Sequence, residues 1–328
     1  MKRFGFSGLC FGLFLSFAAM PMSQAAEKSF PIRPVRVLVP YAPGGATDNT
    51  ARLLAQKLTD VWGQQVIVDN RAGGSGIIAL DLAANAAPDG YTLFVGNVST
   101  NAINETALAK NLKFKPSRAL TGVTNLIELP HFFVSSAALP VSTLKDFIAY
   151  AKTHKTAYGS AGVASYPHLD CARFAKAAGI EMTHVPYKGG AGQIVPALIS
   201  NEVQLSFLNM ASTIAHIRAG RIKALVTTWP TRRPELPDVP TTVELGFAGI
   251  GTNAWNGLFA PAGVPKPLLA KIHADVVKAM EAPDMKATLD KQFMSVVVNK
   301  SPAEFQKFVD EEVKKWRDVL EENKIKIE

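Results

Sequence analysis

Val37-Leu38-Val39-Pro40-Tyr41-Ala42-Pro43-Gly44-Gly45-Ala46-Thr47-Asp48-Asn49-Thr50-Ala51-Arg52-Leu53-Leu54 reads as a short buried strand, a glycine turn and the opening of a helix. The apolar run changes from continuous to helical spacing across Gly44-Gly45. The first amides of such a helix have no carbonyl partner inside it, and a turn without side-chain bulk leaves them open to an anion at the positive end of the helix dipole. A plainer reading stands beside this one: the glycines make a tight turn, and Thr47 or Asp48 caps the helix. No Gly-Lys pair follows at the spacing of a nucleotide phosphate loop, which argues against a nucleoside triphosphate.

Outward from this stretch, strand-like and helix-like segments alternate: a strand near 35–39, a helix over 46–61, a strand at Gln65–Val68, a helix near 77–86 and a strand at Tyr91–Val95. Continuously apolar strands separated by helices imply parallel β-α-β units, and ligands bind such sheets beyond the carboxyl ends of the strands. The glycine turn lies at one of those ends. Asn97, Ser99 and Thr100 lie at another, able either to donate to a ligand or to cap the next helix. Gly74-x-Gly76-x-x-Ala79 has the outline of a dinucleotide fingerprint, but it follows its strand by several residues and lacks the ribose-binding acid, so it reads as a turn and helix start.

A second series repeats the construction. Strand-like runs at Val123–Ile127 and His131–Ser135 flank Pro130, Ser142-Thr143-Leu144-Lys145-Asp146 opens a capped helix, and Tyr158-Gly159-Ser160-Ala161-Gly162-Val163-Ala164-Ser165-Tyr166-Pro167-His168 is again strand, small polar turn and helix start. Ser160 lacks the preceding glycine of a nucleophile elbow, since Tyr158 occupies that place. The six histidines have no metal-ligand spacing. No catalytic trio, metal or cofactor is expected. Lys188 beside Gly189-Gly190 reads as an anion partner or a solvated surface residue, and Asn209, at the end of a strand over Val203–Leu208, as a cap or a ligand contact. Further on, a strand at Lys223–Thr228, a short capped helix at Thr241–Leu245, a strand at Trp255–Ala260 and a helical tail from Pro265 complete the pattern.

The amino terminus carries an address. Met1-Lys2-Arg3, an apolar run to Met22 and the small residues Ser23-Gln24-Ala25-Ala26 form a signal peptide over residues 1–26, cut near Ala25 or Ala26. Its removal takes Cys10 and leaves Cys171 alone, so an exported protein here relies on its core and not on an internal disulfide. No later apolar run is long enough to span a bilayer. The net charge of +8 is dispersed, without the aromatic-interleaved stripe of a nucleic-acid binder. In a periplasmic protein, this positive balance reads either as a solvated basic surface with no role of its own or as suited to small anionic ligands or an acidic partner surface.

Taken together, Val39-Pro40-Tyr41 through Gly44-Gly45-x-x-Asp48 and Ala51-Arg52, Val68-Asp69-Asn70-Arg71, Ala87-Pro88-Asp89-Gly90-Tyr91-Thr92, Tyr158-Gly159-Ser160-Ala161-Gly162, His168-Leu169, Val185-Pro186-Tyr187-Lys188-Gly189, Pro237-x-x-Pro240-Thr241-x-x-Glu244 and Gly257-Leu258-Phe259-Ala260-Pro261-Ala262-Gly263-x-Pro265 resemble the extracytoplasmic solute-binding proteins of the tripartite tricarboxylate transporter family, also called Bug proteins. The match runs in order through nearly all of the chain after the signal peptide.

The resemblance implies a type II periplasmic-binding-protein fold: two α/β domains with a hinge and a ligand cleft between them. Domain 1 would comprise 27–128 and 250–328, domain 2 129–228, with 229–249 as the returning extended segment. It implies a binding protein and not an enzyme, a monomer that captures a small organic carboxylate, di- or aromatic acids before amino acids, and delivers it to integral-membrane transporter subunits. A membrane sensor is the alternative partner. The implied contacts, made largely through main-chain amides and ordered waters, are Gly44, Gly45, Ala46, Thr47 and Asp48 on one side and Ser160, Ala161, Gly162, Ala164 and Ser165 on the other; Tyr41, Asn97, Ser99, His168 and Asn209 join them as candidates from the reading of the residues themselves. Two positions depart from the family pattern: Ala164 stands where glycine is frequent and Leu208 where an acid is frequent, so ligand size and polarity do not transfer from relatives.

Overall fold

Strands that are apolar on both faces need cover on both, and the chain builds that arrangement twice. The computed structural model describes residues 30–323, so the signal-peptide reading lies outside the described residues. The chain opens with β1 (Val35–Val39), α1 (Ala46–Trp62), β2 (Val66–Asn70), α2 (Ile77–Ala84) and β3 (Thr92–Asn97). A π-helical turn over Ser99–Ile103 leads to the short helices α3 (Asn104–Ala107) and α4 (Pro116–Ala119), then to the long strand β4 (Leu120–Leu129).

The second series is β5 (His131–Ser136), α5 (Leu144–Ala151), β6 (Ala157–Ser160), α6 (Tyr166–Ala178), β7 (Thr183–Pro186), α7 (Ala191–Ile199), β8 (Leu205–Asn209), α8 (Met210–Arg218) and β9 (Ile222–Thr227). The chain closes with β10 (Ala254–Pro261), α9 (Lys266–Glu281), α10 (Pro283–Lys291), β11 (Ser295–Val296) and α11 (Pro302–Asn323).

The first sheet has the order β11-β4-β10-β3-β1-β2 and the second β7-β6-β8-β5-β9. Each is built around a parallel triplet, β2-β1-β3 or β7-β6-β8, with an antiparallel strand, β10 or β5, laid beside the third member. The chain crosses from the first sheet to the second at Pro130 and returns between β9 and β10. In both triplets, the helix-bearing loops rise from the carboxyl ends of the strands.

Strand alternation divides the apolar side chains between the faces of the second sheet. Phe133 and Phe207 pack with Tyr158, Cys171 and Phe174 on one face, whereas Phe132 and Leu208 join Ile194 and Leu198 on the other. In the first sheet, α11 lays Phe305 across β4 and β10. A Cβ at Gly257 would come within 2.2 Å of the Phe305 ring, so this glycine permits the helix to approach. Phe305, Val309 and Trp316 are fully buried, each contributing about 1.5–3 kcal/mol through removal of apolar surface from water.

One expected element is shortened. Thr241 and Glu244 do form the reciprocal cap, with Glu244 N donating to Thr241 Oγ1 at 3.1 Å and Thr241 N to Glu244 Oε2 at 3.2 Å, but the segment makes a turn and no α-helix. Gly246, at φ 81°, ends it after a single turn.

Candidate functional site

The opening glycine turn behaves as a seat with a lock beneath it. Gly45 is the N-cap of α1 and no side chain accepts from the first helical amides. Gly44, at φ 97°, turns the chain so that its own amide donates to Asp48 Oδ2 at 3.0 Å. The same oxygen accepts from Arg52 Nε at 3.0 Å, and Oδ1 accepts from Asn70 Nδ2 at 2.9 Å. Burial opposes the charge on Asp48, but these hydrogen bonds and the Arg52 guanidinium outweigh it and hold the carboxyl below its ordinary range. Asp48 thus faces inward as a buttress of the turn. Thr47 Oγ1 is held by Asn256 Oδ1 of β10 at 3.2 Å.

At the end of β3, Asn97 Oδ1 accepts from Ser99 N at 2.9 Å and Thr100 N at 3.2 Å, which directs Nδ2 to the Tyr41 hydroxyl at 3.2 Å. Burial pushes the Tyr41 phenol up, so it remains neutral. Of the two sequence readings of Asn97, the structure forms the cap, and the same side chain positions a phenol. Ser99 Oγ accepts from Tyr166 N at 3.0 Å, linking the loop after β3 to the start of α6.

The second side has a different lock. Ser160 Oγ lies 2.6 Å from His184 Nε2, accepts from Gly162 N at 3.1 Å and donates to the Gly162 carbonyl at 3.0 Å. That carbonyl also accepts from Ser165 Oγ at 2.7 Å. Ala164, at φ 63°, sends its amide to His168 Nδ1 at 3.1 Å. His168 stacks on His184 with ring centroids 4.0 Å apart. Burial depresses both imidazoles to about 4, with the neighbouring His184 adding to the effect on His168. Neutral His168 can accept from Ala164, and a protonated one cannot.

Asn209 caps α8 through Oδ1, which accepts from Ser212 N at 2.9 Å, and it also hydrogen-bonds Tyr166. His131 Nδ1 contacts the Leu129 carbonyl at 2.9 Å, so Nε2 is left to accept from the Tyr166 hydroxyl at 3.0 Å. Burial pushes Tyr166 well up and His131 down to about 3. A Tyr–Asn pair therefore stands at the third strand of each triplet: buried Tyr41 with Asn97, and half-buried Tyr166 with Asn209.

A cavity of about 40 Å³ lies between these parts. Of the residues proposed from sequence, Tyr41, Gly45, Ala46, Thr47 and Asn97 line it from the first side, and Ala161 and Asn209 from the second. Asp48, Ser99, Ser160, Gly162, Ala164, Ser165 and His168 stand outside the lining, where they shape the two loops, and Gly44 is exposed at the surface of its turn. The lining also takes in Leu208 of β8, singled out from sequence as a departure from the family pattern, and residues that the sequence reading left out of the site: Tyr166 and Pro167 of α6, and Gly189, Gly190, Ala191 and Ile194 around the start of α7. The missed signal was present, because Pro186-Tyr187-Lys188-Gly189-Gly190 before α7 repeats the grammar of Pro40-Tyr41 through Gly44-Gly45 before α1. Lys188 is exposed and outside the lining.

The two sides touch around this cavity. A Cβ at Gly190 would stand 3.7 Å from Tyr41 Cδ1, and one at Gly192 would be 3.3 Å from the Pro43 carbonyl. Among the described residues, no Asp, Glu, Lys, Arg or His lines the cavity, whereas the amide ends of α1 and α7 both do. Such a site can hold an anion by main-chain donors and dipoles, with Ile194, Leu208 and Pro167 beside its apolar part. It offers no general base or free nucleophile. Among the described residues, no group of three His, Cys, Asp or Glu could hold a metal ion.

The comparisons agree with this geometry. Residues 50–325 match the model of the tripartite tricarboxylate transporter family receptor. The chain is 30% identical over 318 residues to the protein BugT of Bordetella pertussis, covering 96% of this chain and 97% of that one. It is similar in structure to MatC from Rhodopseudomonas palustris with bound malate, at TM-score 0.84 and 33% identity, covering 89% of this chain and 100% of MatC. It is likewise similar to Rpa4515 of R. palustris with adipate, at TM-score 0.83 and 30% identity, covering 89% of this chain and 97% of that one. Two sheets of one topology, a cavity between their loops and this match over most of the length lead to one conclusion: the chain belongs to the tripartite tricarboxylate transporter receptor family of Bug-type solute-binding proteins, has their two-sheet α/β fold, and is a binding protein, not an enzyme.

Proposed function

We propose that this protein captures a small organic carboxylate in the periplasm by closing two domains over it, and delivers it to transporter subunits in the membrane. The observation that carries the reading is the convergence of the α1 and α7 amino termini on one cavity without a charged side chain. A carboxylate supplies the charge that such a site lacks. The apolar wall of Ile194, Leu208 and Pro167 favours a di- or aromatic acid over an amino acid, whose ammonium would meet helix amino termini of like sign. Malate in MatC and adipate in Rpa4515 are acids of this class.

The magnitudes suffice. Micromolar affinity requires about 8 kcal/mol. Charge-assisted hydrogen bonds contribute about 1.5–3 kcal/mol each and a helix terminus up to about 1. Three or four amide contacts reach the total after ordering costs. Closure would bend the chain at Pro130 and in the 229–249 return segment, with Tyr166 N to Ser99 Oγ as a contact that the closed form adds. The basic, apolar and small-residue pattern of residues 1–26 supports the periplasmic address.

The test is a thermal-shift screen of the refolded, ligand-stripped protein against malate, adipate, aromatic acids, amino acids and sugars. A ligand at about 100 times its Kd stabilises by about 2.7 kcal/mol. A shift with one or a few acids, abolished by Ala191→Trp, is the expected result. A shift from a sugar or an amino acid alone would overturn the carboxylate assignment.

A further inference from the structure

From Thr106 to Ile127 the chain carries Lys110, Lys113, Lys115 and Arg118 and no Asp or Glu. The fold sets this basic segment against the carboxyl-terminal helix. Gly122 N donates to Gln306 Oε1 at 2.9 Å, and Gln306 Nε2 to the Ser117 carbonyl at 3.4 Å, which pins α4 alongside α11. Lys115 and Arg118 thereby meet Lys314 and Arg317 around a surface groove of about 230 Å³. All four cations are exposed, and none forms an ion pair among the described residues.

The two carboxylates in the groove form no ion pair with them and leave it net positive, four cations against two acids. Glu105 accepts from Ser117 N at 2.8 Å and Ser117 Oγ at 2.9 Å, and Asp310 accepts from Gln306 Nε2 at 3.1 Å. Both are engaged by neutral donors. Four clustered cations repel one another and raise the local positive potential, so the groove attracts acidic groups from a distance.

We infer that this groove is a docking surface for an acidic segment of a membrane-bound protein partner, an inference that rests on the delivery role proposed above. Two features favour a protein over a lipid surface. The groove is concave with Val313 as its only large apolar side chain, so it has nothing to insert into a bilayer. Glu105 and Asp310 stand among the cations, where a shaped partner can avoid them and a uniformly anionic surface cannot. The same basic segment also reaches the domain boundary: Lys110 lines a cavity of about 500 Å³ together with Ser75 and with Val163 from the loop after β6. A partner seated here touches the second domain when the cleft is shut, which lets it distinguish the loaded form.

The experiment sediments the purified chain with right-side-out membrane vesicles of its own bacterium, with and without the acid identified by the thermal-shift screen. The parent is expected to co-sediment more with the acid present, to lose retention as salt rises, and to lose it after trypsin shaving of the vesicles. The variant Lys115→Glu/Arg118→Glu/Lys314→Glu/Arg317→Glu is expected to retain the full ligand-induced thermal shift and to bind the vesicles about tenfold more weakly or worse. If charge reversal lowers the thermal shift, the corresponding glutamine variant takes its place and must show the same selective loss. Undiminished retention of the variant, or absence of any parent retention, overturns the docking surface. Equal retention by protein-free vesicles of phosphatidylglycerol and phosphatidylethanolamine overturns the protein partner in favour of lipid. A missing thermal shift in the parent is instead a failure of the carboxylate reading, and the two are told apart.

Discussion

The two sides of the cleft use one grammar and two locks. On the first side, a single stretch supplies both the seat and its buttress: Gly45 to Thr47 line the cavity, and Asp48, one residue on, ties the turn to Arg52, Gly44 and Asn70. On the second side these tasks are divided. The loop after β6 is braced by His184 and His168, while much of the cavity wall comes from the Gly189-Gly190 turn and α7, about thirty residues away. A carboxylate lock strengthens when charged and an imidazole lock when neutral. The comparison teaches that sequence proximity to a binding turn does not say whether a residue faces the ligand or the scaffold.

The largest effect should come from the divided side. Gly190 has φ 61° and stands opposite Tyr41, so Gly190→Val both strains the backbone and fills the cavity. Ligand affinity by calorimetry should fall by about 100-fold or more, equal to about 2.7 kcal/mol. Retention of affinity would remove α7 from the site.

Next in size is the carboxylate lock. Asp48→Asn keeps the shape and loses the charged bonds to Arg52 and Gly44, lowering stability in urea by about 1.5–3 kcal/mol. Because the native pKa of Asp48 lies below its ordinary value of 3.8, its contribution is complete above that value and is lost as pH falls through the depressed native one. The variant should therefore be less acid-sensitive below pH 4. A steeper acid loss than the parent's would contradict the lock.

The imidazole lock titrates in another window. His168 and His184 fall from 6.5 to about 4 on folding, so between those limits the unfolded chain binds more protons than the native one. The contribution of this pair should decline as pH falls from 6.5 towards 4 and level off below it. Replacing His184 by Gln should flatten that decline in a series of Tm measurements, and an unchanged slope would assign it elsewhere.

Smaller still is the bridge between the sides. Ser99→Ala removes the acceptor of Tyr166 N, and ligand affinity should drop by about 0.5–1.5 kcal/mol, a few-fold to tenfold. At the bottom of the scale, Lys188→Ala should leave affinity within about twofold, since a solvated lysine outside the cavity adds little. A tenfold loss would mean that Lys188 reaches the ligand.

Much of this was legible in the chain because its causes are local. The change from continuous to helical apolar spacing across Gly44-Gly45 sets β1 and α1, and Thr143 and Asp146 set the start of α5. Each depends on neighbours within a few residues, through backbone strain, capping and periodicity. Thr241–Leu245 shows the limit of the same reasoning, since its cap forms but a glycine five residues on prevents a helix. The strand-turn-helix alternation, the family motifs and the glycine turn that opens α1 without a side-chain cap followed from sequence alone. Tertiary structure decided which polar residues see the cavity. Asp48, Ser160 and His168 turn inward because partners at Asn70, His184 and the Ala164 amide satisfy them, while Tyr166, Leu208 and the α7 turn reach the cavity because sheet order places β7 and β8 on either side of β6. Those neighbours are distant in the chain, and hydrogen-bond satisfaction in a packed interior is a property of the assembled molecule.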